Sequence, residues 1–279
     1  MMTRLIRMLA VTAFLGAPLA FADEAADAGR RVLSRYQDAV VTVKLVLSYT
    51  MTMGTRDQQS ESKTEAVGTV IDPSGLTVIS LSAIDPSAML RSRMRGQQEL
   101  KIDSEVKDAK LTLADGTELP AQVVLRDKDL DVAYVQPLDK PAKPMTAVDL
   151  SQSAKPQVLD EVICLNRLGK VADRMVAVSI ERIDALVQHP RPFYVLAAGG
   201  SSGVGSPVFT QSGTPIGIIL VRNTPTDGEA NVASMFSGGG GLGIMPIIVP
   251  AADLLEDAKQ ALESKKPVAE SSKPEPKQK

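Results

Sequence analysis

Residues 66 to 81 decide how this chain is read: Ala66-Val67-Gly68-Thr69-Val70-Ile71, then Asp72-Pro73-Ser74-Gly75, then Leu76-Thr77-Val78-Ile79-Ser80-Leu81. Two runs rich in β-branched residues flank a turn in which Pro presets φ and Gly accepts a left-handed conformation. The segment therefore predicts a β-hairpin. The same grammar recurs downstream. Leu111-Thr112-Leu113 and Leu119 to Leu125 flank Ala114-Asp115-Gly116-Thr117, and Val208-Phe209 and Ile216 to Val221 flank Gln211-Ser212-Gly213-Thr214. Upstream, Ala39 to Leu47 is long and β-branched enough for a strand. Short strands at this spacing predict an all-β barrel or sandwich rather than βαβ units.

Helical patterning is confined to the two ends. In Asp23 to Gln37, Ala26, Val32, Leu33 and Tyr36 share one face, so a helix is expected over 23–38. After Pro250, Ala251 to Ser264 carries Leu254, Leu255, Ala258 and Leu262 on an amphipathic pattern. Between the strands, Asp85 to Lys110 is polar and mixed in charge, and is expected to be an inserted surface loop or short helix. Asp139 to Val148, with Pro141 and Pro144, is expected to be an exposed connection. It separates a first β unit (39–138) from a second (150–264), with 139–149 as linker. Lys265 to Lys279 is rich in Lys, Pro, Glu and Ser and is expected to be disordered.

Met1 to Ala22 has the form of a secretory signal peptide: Arg4 and Arg7, an apolar stretch from Met8 to Leu19, and Ala20-Phe21-Ala22 for cleavage. The alternative is a membrane anchor. The apolar run is short for a span of roughly 20 residues, and Gly16-Ala17-Pro18 weakens it. Cleavage removes two basic residues and leaves 29 against 33 acidic, a formal charge of −4. The expected product is periplasmic or secreted, without stable membrane insertion.

Composition narrows the chemistry. Among 279 residues there are one His, one Cys and no Trp. Zinc centres of the His/Cys kind need three or four such ligands, so none is expected, nor is any other cofactor. Lys and Arg number 31 against 33 Asp and Glu, which gives no basic excess for nucleic acid. Cys164, inside Val162-Ile163-Cys164-Leu165, is read as a buried small hydrophobe. Any mechanism that needs a histidine has only His189, in the turn-like Gln188-His189-Pro190-Arg191-Pro192.

In order, the hairpins resemble the trypsin-like serine proteases of the Deg/HtrA type. Val67 to Leu76 is similar to that family's G-S-G-V-I-x-x-x-G-Y hairpin, and Asp115 to Val124 to its D-G-x-x-x-x-A-x-V-V. Asp127 to Val135 fits D-x-x-x-D-[IL]-A-[VL]-[IL], and Gly213 to Ile218 fits G-x-V-I-G-I. Gly241-Leu242-Gly243-Ile244-Met245-Pro246 is like the G-x-G-F-A-I-P that leads into the terminal helix. The resemblance implies two six-stranded antiparallel β-barrels with a cleft between them, plus short N- and C-terminal helices. No room is expected for the PDZ domain that many members append.

It also implies where a catalytic triad would stand. Aligned on Pro207, the nucleophile's position in G-N-S-G-G-P falls on Val204, and valine has no lone pair with which to attack a carbonyl. Counted from Gly75, the histidine's position in T-N-x-H-V falls on Ser82, while Asp131 fits the aspartate. Losing one member costs such a triad about 10⁴ or more in rate. The expectation is a pseudoprotease that binds a protein or peptide partner. By carry-over, Gly203, Val204 and Gly205 would be the remnant of the oxyanion-hole loop. The competing reading is an active endopeptidase using Ser201, Ser202 or Ser206, and a third is a collapsed cleft on a purely structural scaffold.

Overall fold

The computed structural model describes residues 24–53, 56–85, 100–197, 203–223 and 244–264. The expected signal segment and C-terminal tail lie outside these residues. Helix α1 (Glu24–Tyr36) precedes β1 (Val40–Met53), β2 (Arg56–Val70), β3 (Thr77–Ser80), β4 (Leu100–Thr112), β5 (Glu118–Asp127) and β6 (Val132–Pro137). Then come β7 (Glu161–Arg167), β8 (Val176–Val187), β9 (Phe193–Leu196), β10 (Pro207–Thr210), β11 (Pro215–Asn223), β12 (Ile244–Pro250) and helix α2 (Ala251–Ser264). The first six strands close into one barrel, in the order β1-β2-β3-β6-β5-β4. The last six close into another, in the order β10-β11-β12-β9-β8-β7. Every pairing is antiparallel. The expected fold class is therefore the observed one, and the three hairpins read from turn chemistry are β2–β3, β4–β5 and β10–β11.

Three local expectations need correction. Residues 100–110 are not loop or short helix but most of β4, which pairs with β1 from Leu100 to Thr112. Their polarity belongs to a strand whose outer side meets solvent, and the bulge opposite Val46/Leu47 breaks the alternation that would have announced it. Residues 86–99 lie outside the described set. On α2, Ala261 rather than Leu262 faces the core: Ala261 is 0% exposed and Leu262 37%. The connection from Asp139 is not free at its far end. Met145 N–H donates to the Pro73 carbonyl at 3.0 Å, Val148 N–H to that of Val70 at 2.9 Å, and the Val148 side chain is buried.

Alternation along the strands builds three apolar regions. Val41, Val43, Leu45 and Leu47 of β1 point into the first barrel with Ile79, Leu111 and Val135. Val162 and Cys164 of β7 point into the second with Ile183, Ile216 and Ile248. Ile163 and Leu165, on the opposite face of β7, join Val40, Val78, Tyr134 and Phe209 in a seam between the barrels. Strands buried on both faces explain the unbroken apolar runs.

The helices lock this seam crosswise. Helix α1 leads into the first barrel but packs on β7 and β8 of the second, with Tyr36 stacked on Phe209 at 4.6 Å between ring centroids. Helix α2 leaves the second barrel and packs on β5 of the first, where the Tyr134 hydroxyl donates to the Leu254 carbonyl at 2.9 Å.

Gly205 marks the tightest approach across the seam. Its φ is +97°, in the left-handed region, and a Cβ there would stand 2.1 Å from the Val67 carbonyl oxygen. Gly116, at φ +85°, has open space around a Cβ. Gly205→Ala is expected to cost about 2 kcal/mol or more in urea denaturation, and Gly116→Ala only about 1 kcal/mol of backbone strain. Equal costs would mean that the contact with Val67 relaxes freely.

Candidate functional site

The site lies where the end of β3, the turn before β6 and the turn before β10 meet. Asp127 starts the first of these turns: its carboxylate Oδ1 accepts from the N–H of Asp129 at 2.6 Å and of Leu130 at 3.0 Å. This Asx-type turn delivers Asp131 in a left-handed conformation, φ +56°, immediately ahead of β6. Ser80 closes β3, and a 3-10 turn over Leu81–Ala83 follows, with Ser80 Oγ accepting from Ser82 N–H at 3.2 Å. Leu81 N–H donates to the Asp131 carbonyl at 2.8 Å, which ties the two turns together.

Asp131 is 7% exposed, and its carboxylate accepts four hydrogen bonds. Oδ1 takes Ser82 Oγ–H at 2.6 Å and Ser82 N–H at 3.0 Å. Oδ2 takes the Ser80 hydroxyl and, from the second barrel, Val221 N–H at 3.1 Å. Burial pushes the Asp131 carboxyl above its ordinary value, against the pull of the Ser80, Ser82 and Val221 donors. Ser82, read from sequence as the residue at the histidine's position, thus bonds to the aspartate that would have oriented that histidine.

Across the cleft, Ser206 N–H donates to the Gly203 carbonyl at 3.2 Å, closing a turn around Val204. Ser80, Ser82 and Ala83 from one side, and Gly203, Val204 and Val221 from the other, line a cavity of about 390 Å³. The β2 segment Thr64 to Val67 completes the lining. The structure therefore brings Ser82 and Val204 to one cavity, with Asp131 bonded to Ser82.

The remaining candidates fare differently. Gly203 and Val204 line the cavity, but Gly205 does not offer a free N–H. It is buried, its N–H donates to the Ile219 carbonyl at 2.7 Å, and its carbonyl accepts from Thr69 Oγ1 at 2.7 Å. Its backbone is used by the fold and is not offered to the cleft. Ser206 is 0% exposed, its hydroxyl donates to Asn166 Oδ1 at 3.2 Å, and it is not among the lining residues. Ser201 and Ser202 lie outside the described residues. His189 is exposed beyond β8 and is not among the lining residues.

Among the described lining residues the one ionisable side chain is Glu65. Arg174, from the second barrel, grips it through Nη2 at 2.7 Å and Nε at 3.2 Å and holds its carboxyl below the usual range. An ion-paired carboxylate of lowered pKa is a poor proton acceptor. Sequence reasoning missed Ser80 and Val221 as partners of Asp131. Ser80 had a local trace in Ser80-Leu81-Ser82, whereas the Val221 contact exists only once the barrels meet.

A raised carboxyl pKa has a definite consequence for stability. The folded state binds the Asp131 proton more tightly than the unfolded chain does. Its contribution is therefore complete below the unfolded value and is lost as pH rises through the folded one. Denaturation of the wild type and Asp131→Asn from about pH 3.5 to 7 should show the wild type losing stability relative to the variant just above the ordinary carboxylate range. A difference that rises with pH would mean that the four donors outweigh burial.

The family model of the trypsin-like peptidase domain matches residues 66–218, more than half of the chain. That span runs from the β2 edge of the cleft through Ser82, Asp131 and Val204 into β11. No curated protein matches the chain significantly. With both barrels and the inter-barrel cleft in place, the chain belongs to the trypsin-like peptidase domain family.

Proposed function

We propose that this protein is a Deg/HtrA-type member of the family that has lost catalysis and works by binding protein or peptide segments in its inter-barrel cleft. We place it outside the cytoplasm, periplasmic or secreted, after removal of Met1 to Ala22. One observation carries the reading: Ser82 Oγ is committed as a donor to buried Asp131, while the opposite wall presents Val204 in place of a nucleophile. In the family's acyl transfer a histidine activates the nucleophile. No histidine is among the described lining residues, and the hydroxyl–carboxylate contact there, Ser82 with Asp131, is a bond to a buried, fourfold-bonded carboxylate. What persists suits binding: apolar walls at Ala66, Val67, Ala83, Val204 and Val221, beside the backbone of β2, against which an extended segment adds main-chain hydrogen bonds.

Fluorophosphonate labelling and casein hydrolysis test the loss of catalysis. The mature protein is expected to be silent in both, and labelling that disappears in Ser82→Ala or in a Ser201/Ser202/Ser206→Ala triple variant would overturn the proposal. The double substitution Ser82→His with Val204→Ser puts a base and a nucleophile back beside Asp131, and measurable labelling is expected from it.

The binding half has its own test. On immobilised unfolded casein, Ala83→Arg and Val204→Arg should each weaken retention by about tenfold or more, since a charge buried without a partner in an apolar groove is costly. Retention unchanged in both would place binding elsewhere.

A further inference from the structure

Strand β2 is far longer than the barrel needs. It pairs with β1 along its whole length, from Val40↔Thr69 to Met53↔Arg56. On its other side it meets β3 only at Thr69 and Val70. From Arg56 to Gly68, no described strand takes up that edge, and Gln58 to Lys63 are exposed. An open edge is a template for another strand, and folded proteins ordinarily blunt such edges.

The charges on this edge are arranged to pair with themselves. Cross-strand partners share a face of the sheet, and so do residues two apart on one strand. Ser62 pairs with Leu47, whose side chain is inside the barrel, so Glu61 and Lys63 share the outer face. The neighbouring charges there are already matched: Glu118 with Lys44 and Lys110, and Glu65 with Arg174 and Lys170. Glu61 and Lys63 have no ion-pair partner among the described residues.

We propose that β2 pairs antiparallel with β2 of a second copy about a two-fold axis at Ser62. That register sets Glu61 opposite Lys63 of the partner subunit and, by symmetry, Lys63 opposite Glu61 of the partner subunit. The contact is isologous, and it joins the first barrels into one continuous sheet.

Other registers are worse. Centring on Glu61 or Lys63 sets like charges face to face. Centring on Thr64 runs the partner's β2 against Thr69 and Val70, which β3 already pairs, whereas centring on Ser62 ends it opposite Gly68. The ladder centred on Ser62 pairs Gln59 to Glu65 of each copy. The free edge of β4 is a poorer candidate: its bulge disrupts the ladder, and Lys107 already pairs with Glu105 at 2.6 Å.

Sedimentation equilibrium of the mature protein from about 5 to 500 μM tests the proposal. A monomer–dimer equilibrium is expected. Glu61→Lys or Lys63→Glu alone turns both symmetric pairs into like-charge contacts and should raise the dimer Kd at least about tenfold. The double variant Glu61→Lys/Lys63→Glu restores both pairs with reversed polarity and should recover a Kd within about threefold of the wild type. Hydrogen exchange of the unaltered protein gives a check that no substitution can confound: the alternate amides between Gln59 and Glu65 that point away from β1 should become protected as concentration rises. A monomer throughout the range, a dimer indifferent to the single reversals, or a double variant as weak as the singles would overturn the proposal.

Discussion

The carboxylate of Asp131 holds three pieces of chain to one buried point. It binds Ser80 at the end of β3, Ser82 in the turn beyond it, and the Val221 N–H of the other barrel. Removing the acceptor would strand two hydroxyls and two backbone N–H groups in a closed seam, at about 1–3 kcal/mol for each left unsatisfied. Asp131 therefore has a reason to persist that does not involve turnover. In a working triad an aspartate orients an imidazole. Here the Ser82 hydroxyl and N–H occupy Oδ1, and through Oδ2 and Val221 N–H the residue is a tie between barrels.

Several weaker ties run parallel to it. Thr69 Oγ1 donates to the Gly205 carbonyl, Arg174 of the second barrel grips Glu65 of the first, and buried Arg167 donates from Nε to the Val40 carbonyl at 2.6 Å. Each neutral bond contributes only about 1 kcal/mol net. The shared apolar cluster supplies the larger part, because burying a single Val, Leu, Ile or Phe side chain is worth about 1.5–3 kcal/mol. The polar ties fix orientation instead. Arg167 shows the cost of that role: its Nη2 is buried without a partner among the described residues, and desolvation pulls its pKa down.

What could be read from the chain alone follows the same division. The hairpins at Gly75, Gly116 and Gly213 were legible because a left-handed glycine in a turn has local chemistry. Asp131 and Val204 were legible because Asp127 to Val135 and Pro207 anchor short motifs. Strand β4 was not, and neither was the far half of β2. Outside a barrel a strand buries neither face fully, so Asp103-Ser104-Glu105 and Gln58-Gln59-Ser60 carry no hydrophobic period. Their strand state comes from pairing with β1, which is information about a neighbour. The Val221–Asp131 bond was hidden for the same reason, as was the choice of Ala261 over Leu262 against the core.

The turn around Val204 sharpens the distinction between inherited form and retained function. Glycines on either side of Val204 invite the inference that the turn binds a ligand through its backbone. At Gly205 that inference fails, since its left-handed φ and its contact with the Val67 carbonyl make glycine necessary for closing the two barrels. Gly203 is likewise hemmed in, where a Cβ would meet Asn166 Oδ1 at 2.7 Å. Position 204 has no such structural role: its side chain faces the cleft, and there the chain carries valine. Glycine thus stands in this turn where the packing of the barrels requires it. The case for binding therefore rests on the shape and apolar lining of the cleft, not on its glycines.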